Sequence, residues 1–561
     1  MTGARLPAAV MALWSAIAPS ELARVGAPGL VAIRGASLSA HVRFLADDLL
    51  EGRAPGTPGH AIAARYLASQ LQALGVEPAG TDGTWMQRVP FLAIRPDLAR
   101  CAFEAAGPRE MAPRAFRPGE DVLFSPAAAR PDSTVRGELV FSGRGVVAPA
   151  YRYDDVAPDL TGKIAVVLAG APRSTREDFF PSAASAVYAD GVRKARLLAE
   201  RGAVGVIFVA TPESLHIYPW DERVRDAGSF EQMAWLESEG GAPGSGSPVP
   251  TASVTPEAFE SLLRQAGRRV TVAELLKQSN AGALRPFPLG LGATLTTAAS
   301  VRRLASENVV GVLRGSDPDR SKEYVAVSAH LDHLGRGPEV NGDGIYNGAE
   351  DDASGVASII EIARAFAALT TRPPRSILFV GVTAEEKGLL GSDYFARHPT
   401  VPTGAIVANV NSDGPTGWWR PHDVLALGAE HSTLEADARN AAAALGLALS
   451  PDPDPDQVYF IRGDQYSFVK VGVPSALPGV GYRDESGDEK ANRATTDRWL
   501  VEKYHQPSDE WDPKLDWENM AIEVRYYFLL ALSVALDPAR PAWKPGDPFG
   551  GMFGSQEKGT H

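Results

Sequence analysis

The sequence predicts an α/β protein: a mixed, mainly parallel sheet flanked by helices, with a smaller β/α domain inserted into it. Three observations carry this. Short runs rich in β-branched and apolar residues, YVAVSAH (324–330), SILFVGV (376–382) and AIVANVNS (405–412), read as buried strands. Between the first two, Ala353 to Leu369 places Val356, Ile359, Ile360, Ala363, Phe366 and Ala367 at helical spacing. Strand, helix, strand in that order is a βαβ unit, which builds a parallel sheet. From about 120 to 285 the texture changes to strand-like GELVFSG (137–143), KIAVVLAG (163–170) and VGVIFVAT (204–211) around a helical stretch, 185–203.

Taken in order, the chain opens on an apolar run, Leu6 to Pro19, behind Arg5. A secretory signal within 1–18, with Ala16 and Ala18 as small cleavage residues, and a first helix of the domain both fit it. A helix follows from Pro58 to Leu74, with Thr57 as cap, Pro58 at its first position, Gly75 at its end, and Ile62, Tyr66, Leu67, Leu71 and Leu74 on one face. The Gly/Ser/Pro-rich stretch at 239–248 and a helix near 256–267 end the inserted texture. The apolar run Tyr526 to Leu536 is too short to span a bilayer and reads as a core helix. The end of the chain, GGMFGSQEKGTH, reads as a loose tail.

Composition excludes some functions. The chain has 55 Lys+Arg against 68 Asp+Glu, a net charge of −13, which argues against nucleic acid or an anionic membrane as the main partner. Cys101 is the only cysteine, so the chain has no internal disulfide and no cysteine-based metal site.

Acidic residues and histidines gather after the carboxyl ends of the predicted strands, where open α/β sheets bind ligands. The first group is His330-Leu-Asp332-His333. Alternation points His330 and Asp332 the same way, placing Asp332 to orient the imidazole, and turns His333 away into a supporting or packing role. The second is Asn347-Gly-Ala-Glu350-Asp351-Asp352 at a helix start, where capping and dipole compensation are an alternative reading, above all for Asp352. Thr383-Ala-Glu385-Glu386 follows a buried strand, Asn411-Ser-Asp413-Gly follows another, and Tyr504-His505 lies near the end of the domain. Each alone reads as a solvated face, a turn or a structural histidine; together and in order they do not.

AHLDHLG, YNGAEDDASGVA, TAEEKGLLGS, NVNSDG and KYHQPSDE resemble the five metal-site blocks of the zinc-dependent exopeptidases typified by bacterial leucyl aminopeptidases. The resemblance covers about 40–105 and 290–540, and the inserted stretch is similar to the protease-associated domain of many members. It implies the zinc exopeptidase fold and a site with two Zn2+ per chain. Asp351 would bridge the metals, His330 and Asp413 would complete one, and Glu386 and His505 the other. Glu385 would be general base and then acid, with Asp332 orienting His330. Zinc chemistry agrees: imidazole and carboxylate ligands suit it, and a pair of ions needs a bridging anion and a nearby base for water.

Substrate contacts are expected from Tyr504, Asp464, Gln465 and Tyr346, with Asn341, Asp343 and Asn347 on the loop joining two blocks. Many relatives carry His after the aspartate where this chain has Gln465. The expected reaction is removal of N-terminal residues from peptides with a free N-terminus, outside the cytoplasm. Carboxypeptidase or dipeptidase action is the alternative, since Arg336, Arg462 or Arg483 could clamp a substrate carboxylate. A non-catalytic binding role is less favoured, because every ligand and the base are present, as is glutaminyl cyclisation, whose enzymes resemble this site but use one zinc and are separated by metal stoichiometry. The domain map is an N-terminal segment 1–35, a catalytic domain in two parts, 36–115 and 289–540, an inserted domain 116–288 and a tail 541–561.

Overall fold

The computed structural model describes residues 17–107, 113–174, 176 and 179–554. Apart from its last residues, the apolar Leu6–Pro19 run lies outside them; the first helix described is Pro19–Ala32.

Two large sheets organise the chain. The centre of the first is four parallel strands in the order Ser376–Val382, Tyr324–His330, Ile406–Asn411 and Ser475–Val480. Tyr324–His330 and Ser376–Val382 are buried along their whole length, which explains their continuous apolar character. Both flanks are antiparallel: Ala299–Leu313 and Met86–Pro96 on one side, Asp423–Leu427 on the other. The sheet is thus mixed, with its parallel part confined to the centre.

The helix Ser354–Ala368 covers this sheet, together with Pro58–Ala73 and Trp517–Leu536, in one continuous apolar core. The first of these is almost wholly buried because apolar residues encircle it. Pro58–Ala73 is capped by Thr57, which accepts the N–H of His60. Leu67 and Leu71 are buried as expected, but Ile62 is 44% exposed, off the inward stripe. The C-terminal helix starts at Trp517, nine residues before the apolar run, so by length and composition it is long enough to cross a membrane. Here 83% of its most apolar window is covered by protein.

The second sheet takes its strands from Ala102–Ala106 through Phe287–Thr297, reaching beyond the expected 116–288 on both sides. One strand from within that range, Gln232–Trp235, leaves it and joins the edge of the first sheet beside Met86–Pro96. The predicted helix at 185–203 is two helices, Ser182–Ala189 and Gly191–Glu200, separated at Asp190, whose side chain caps the second. The expected loose tail is partly folded as well. Pro548–Phe553 is helical, and Phe549 and Phe553 are buried against a cluster that includes Phe460 and Trp543. Two aromatic residues spaced four apart bury enough surface to hold this short helix down.

Candidate metal centre and active-site cavity

Three neighbouring parallel strands deliver three of the acidic and histidine groups to one edge. His330 ends its strand opposite Val382, which leads directly into Thr383, Glu385 and Glu386; Asn411 ends the third strand two residues before Asp413. Asp351 and Asp352 enter from the turn before Ser354–Ala368, and His505 from the segment after the helix Glu489–Glu502.

The five expected donors converge. His330 Nε2 lies 3.2 Å from Asp351 Oδ1 and 3.7 Å from Asp413 Oδ1. His505 Nε2 lies 3.4 Å from Asp351 Oδ2 and 3.1 Å from Glu386 Oε2. The two oxygens of Asp351 therefore face different imidazoles. His330, Asp351 and Glu386 form one group with donor atoms within 4.8 Å of one another, and His330, Asp352 and Asp413 form another.

The tautomer of His330 shows what such an arrangement lacks. Its Nδ1 is 3.0 Å from the carbonyl oxygen of Asp332, which can only accept, so Nδ1 carries the proton and Nε2 turns toward carboxylate oxygens. Oxygen and nitrogen lone pairs aimed at one another repel unless a proton or a cation lies between them. Burial opposes a charge on His330, but Asp352, Glu385, Asp351 and Asp413 overcome it and raise the group well above the ordinary imidazole range. His505 is likewise buried, and Glu386 and Asp351 lift it to about 10. Burial, with Asp464, Glu386 and Asp413 nearby, pushes Glu385 well above the usual carboxylate range. So many buried carboxylates are stable together only with added positive charge, and imidazole-plus-carboxylate donors suit divalent zinc.

Around the donors, hydrogen bonds hold the backbone. Asp352 Oδ2 accepts the N–H of His330 at 3.1 Å, while its Oδ1 accepts those of Gly355 at 2.9 Å and Gly414 at 3.0 Å. The capping reading of Asp352 thus describes one of its three bonds; the others join three donor segments. Asp509 accepts the N–H groups of Glu350 and Asp351 at 3.0 and 3.1 Å. Arg53, 1% exposed, donates to the carbonyls of Leu331 (2.9 Å), Leu45 (2.7 Å), Asn347 (2.6 Å) and Gly348 (2.9 Å), joining two donor loops to the N-terminal part. Sequence reasoning missed Asp509 and Arg53. Asp509 stood inside a block already singled out; Arg53 carries no local signal, because its partners lie far along the chain.

Several expectations change. The carboxylate of Asp332 does not reach the His330 ring; it accepts the N–H groups of Glu385 at 3.1 Å and Glu386 at 3.4 Å, and its carbonyl holds the imidazole instead. Strand alternation stops at His330, so the rule that placed both side chains alike does not extend to Asp332. The same irregularity brings His333 into the cluster: its Nδ1 is 2.6 Å from Glu386 Oε1. Gln465 is buried and spent on structure, accepting from Asn411 at 3.0 Å and donating to the Phe460 carbonyl at 2.9 Å. Tyr346 is buried, its hydroxyl bound to the Pro338 carbonyl at 3.1 Å. Asn347 donates to Ala46 and Asp48, and Asp343 closes a turn onto Ile345. Asn341 takes a left-handed turn conformation, φ 54°. Asp464 is wholly buried next to Glu385 and does not line the cavity.

A cavity of about 1020 Å³ opens over the cluster. Glu385, Glu386, Tyr504, His505 and Arg462 line one side, and Tyr188, Arg193 and Arg196 from the inserted stretch line the other. Tyr504 stacks on His505 with ring centroids 3.9 Å apart. Of the three arginines considered for a carboxylate clamp, Arg336 pairs with Glu51 and Arg483 with Glu489, and only Arg462 faces this cavity.

Residues 308–526 match the family model for Peptidase family M28. A probable zinc metalloprotease of Pyricularia oryzae is 43% identical over 125 residues, 21% of this chain and 24% of that protein. Aminopeptidase NAALADL1 of Mus musculus is 34% identical over 116 residues, 20% of this chain and 14% of that protein. The chain thus spans about a quarter or less of the length of these curated relatives. The aminopeptidase from Aneurinibacillus sp. strain AM-1 shares the fold, with a TM-score of 0.51 at 19% identity over 93% of this chain and 98% of that one. Residues 308–526, the stretch that is similar to Peptidase family M28, thus carry every donor of the cluster.

Proposed function

We propose that the chain is a two-zinc aminopeptidase. The observation that carries this is Asp351, whose two oxygens face separate imidazoles, each with its own second carboxylate, while Glu385 lines the cavity alongside. His330 and Asp413 would hold one zinc, Glu386 and His505 the other, with Asp351 shared. Zinc bound there supplies Lewis acidity that polarises a carbonyl and acidifies water. The similarity to a probable zinc metalloprotease and to an aminopeptidase supports both the metal and the reaction.

The protein's own groups supply the remainder. Among the described residues no hydrogen bond or ion pair holds the Glu385 carboxylate away from the cavity, so it can take the proton of the attacking water and return it to the leaving amine. Asp332 holds the Glu385 backbone and so fixes where that carboxylate stands. Tyr504, stacked on His505, lines the cavity, and its hydroxyl would serve the developing oxyanion. The wall from the inserted stretch narrows access, which favours short peptides.

A second reading, dipeptidase or carboxypeptidase action, is favoured by Arg462, the one of the three arginines expected from the sequence that faces the cavity. Free-amino, N-blocked and C-amidated peptides of one sequence separate these. Aminopeptidase action requires the free amine and tolerates the amide; a requirement for the free carboxylate would transfer the function to the second reading. Metal analysis should find two zincs per chain, and a metal-free protein active in EDTA would refute both.

A further inference from the structure

We infer that His333 is a metal ligand on one side of the centre only, through Nδ1, giving the position formed by Asp351 Oδ2, Glu386 and His505 a second imidazole. The inference rests on the two-zinc reading above.

His333 is wholly buried, and neither ring nitrogen has a hydrogen-bond partner. Its Nδ1 nevertheless lies 2.6 Å from Glu386 Oε1 and 3.9 Å from Asp351 Oδ2. Glu386 Oε1 is itself buried without a hydrogen-bond partner, so the short approach is one of proximity without donor alignment. Two buried polar atoms this close are held together by a shared proton or a shared cation, and a divalent ion would satisfy both together with Asp351.

The His505 distances match one ion, and those of His333 fall on either side of that spacing. Donors about 2.0–2.2 Å from a tetrahedral zinc stand roughly 3–3.5 Å from each other. His505 Nε2 is 3.1 Å from Glu386 Oε2 and 3.4 Å from Asp351 Oδ2, and the separations of His333 Nδ1 from the same two carboxylates bracket that range. The His333 and His505 rings meet edge to face with centroids 5.8 Å apart.

The fold pins this orientation. Gly348 has φ 60°, and a Cβ there would fall 2.5 Å from His333 Cγ, so the ring packs against bare backbone of the loop that carries Asp351. Among the described residues the other side has no such counterpart, and His330 is the imidazole beside Asp413. The two positions should therefore differ in affinity, the His333 side filling first.

X-ray absorption of the zinc-loaded full chain counts imidazoles, and isothermal titration with zinc resolves the two affinities. The expected result is three imidazoles for two zincs in the wild type and two in His333→Ala. The tighter zinc of His333→Ala should bind at least about tenfold more weakly, the other unchanged. Exogenous imidazole should restore part of that loss. Two imidazoles for two zincs in the wild type would overturn the assignment and leave the proposed function standing; a chain that binds no zinc would remove both. The wild-type count decides the question even if His333→Ala fails to fold.

Discussion

Asp332 Oδ1 accepts the backbone N–H of Glu385 at 3.1 Å, so the end of one central strand fixes the loop that leaves the next. Removing that acceptor frees the loop without touching a donor atom. Asp332→Asn turns an amide N–H toward a backbone N–H and should lower kcat about 10- to 100-fold while both zincs stay bound. Steady-state kinetics beside metal analysis checks this; loss of zinc in parallel with kcat would show that Asp332 acts on the metals.

Glu385 stands beside a donor residue yet faces the cavity. Glu385→Gln keeps shape and loses the base, so kcat should fall at least about 10²–10⁴-fold with zinc content intact. A variant that turns over at the wild-type rate would exclude Glu385 as the proton carrier.

Much of this centre was readable because its donors sit at ends of elements with strong local signals. The strands Tyr324–His330 and Ser376–Val382 coincide with their apolar runs, since burial on both faces leaves no polar interruption. Residues beyond those ends were less legible. Asp332 and His333 lie in an irregular segment, where no period fixes direction, and Gln465 opens a short helix, Gln465–Val469; the partners of all three come from other segments. Arg53 is the extreme case, with acceptors near residues 45, 331 and 347 that only the folded chain assembles. The terminal helix Pro548–Phe553 was hidden by its glycines, although Phe549 and Phe553 anchor it.

Arg53 satisfies four buried carbonyls and ties the segment after the first donor strand and the loop before Asp351 to the N-terminal part. Hydrogen bonds from a charged group contribute about 1.5–3 kcal/mol each, and orphaned carbonyls add their desolvation cost. Arg53→Met should therefore destabilise the fold by at least about 3 kcal/mol. Arg53→Lys should recover little of it, because an ammonium cannot span the same fork. Denaturant midpoints check this, and a loss below about 1 kcal/mol would show that the loops hold without the guanidinium.

Asp437 offers a pH test remote from the metal centre. It lies on the helix Leu434–Ala444, where burial, with Asp537 nearby, raises it from 3.8 to about 7 despite a 2.7 Å hydrogen bond from Ser533 Oγ. The folded chain therefore holds this proton more tightly than the unfolded chain does. Its contribution to stability is complete below about pH 4 and is lost as pH rises through about 7. Asp437→Asn cannot ionise and keeps an oxygen for Ser533, so its stability should not show that decline. Urea midpoints of both proteins at about pH 5 and about pH 8 should diverge, with the variant gaining on the wild type at the higher value. Parallel curves would mean that water or a shift of the helix Trp517–Leu536 solvates the carboxylate when it ionises.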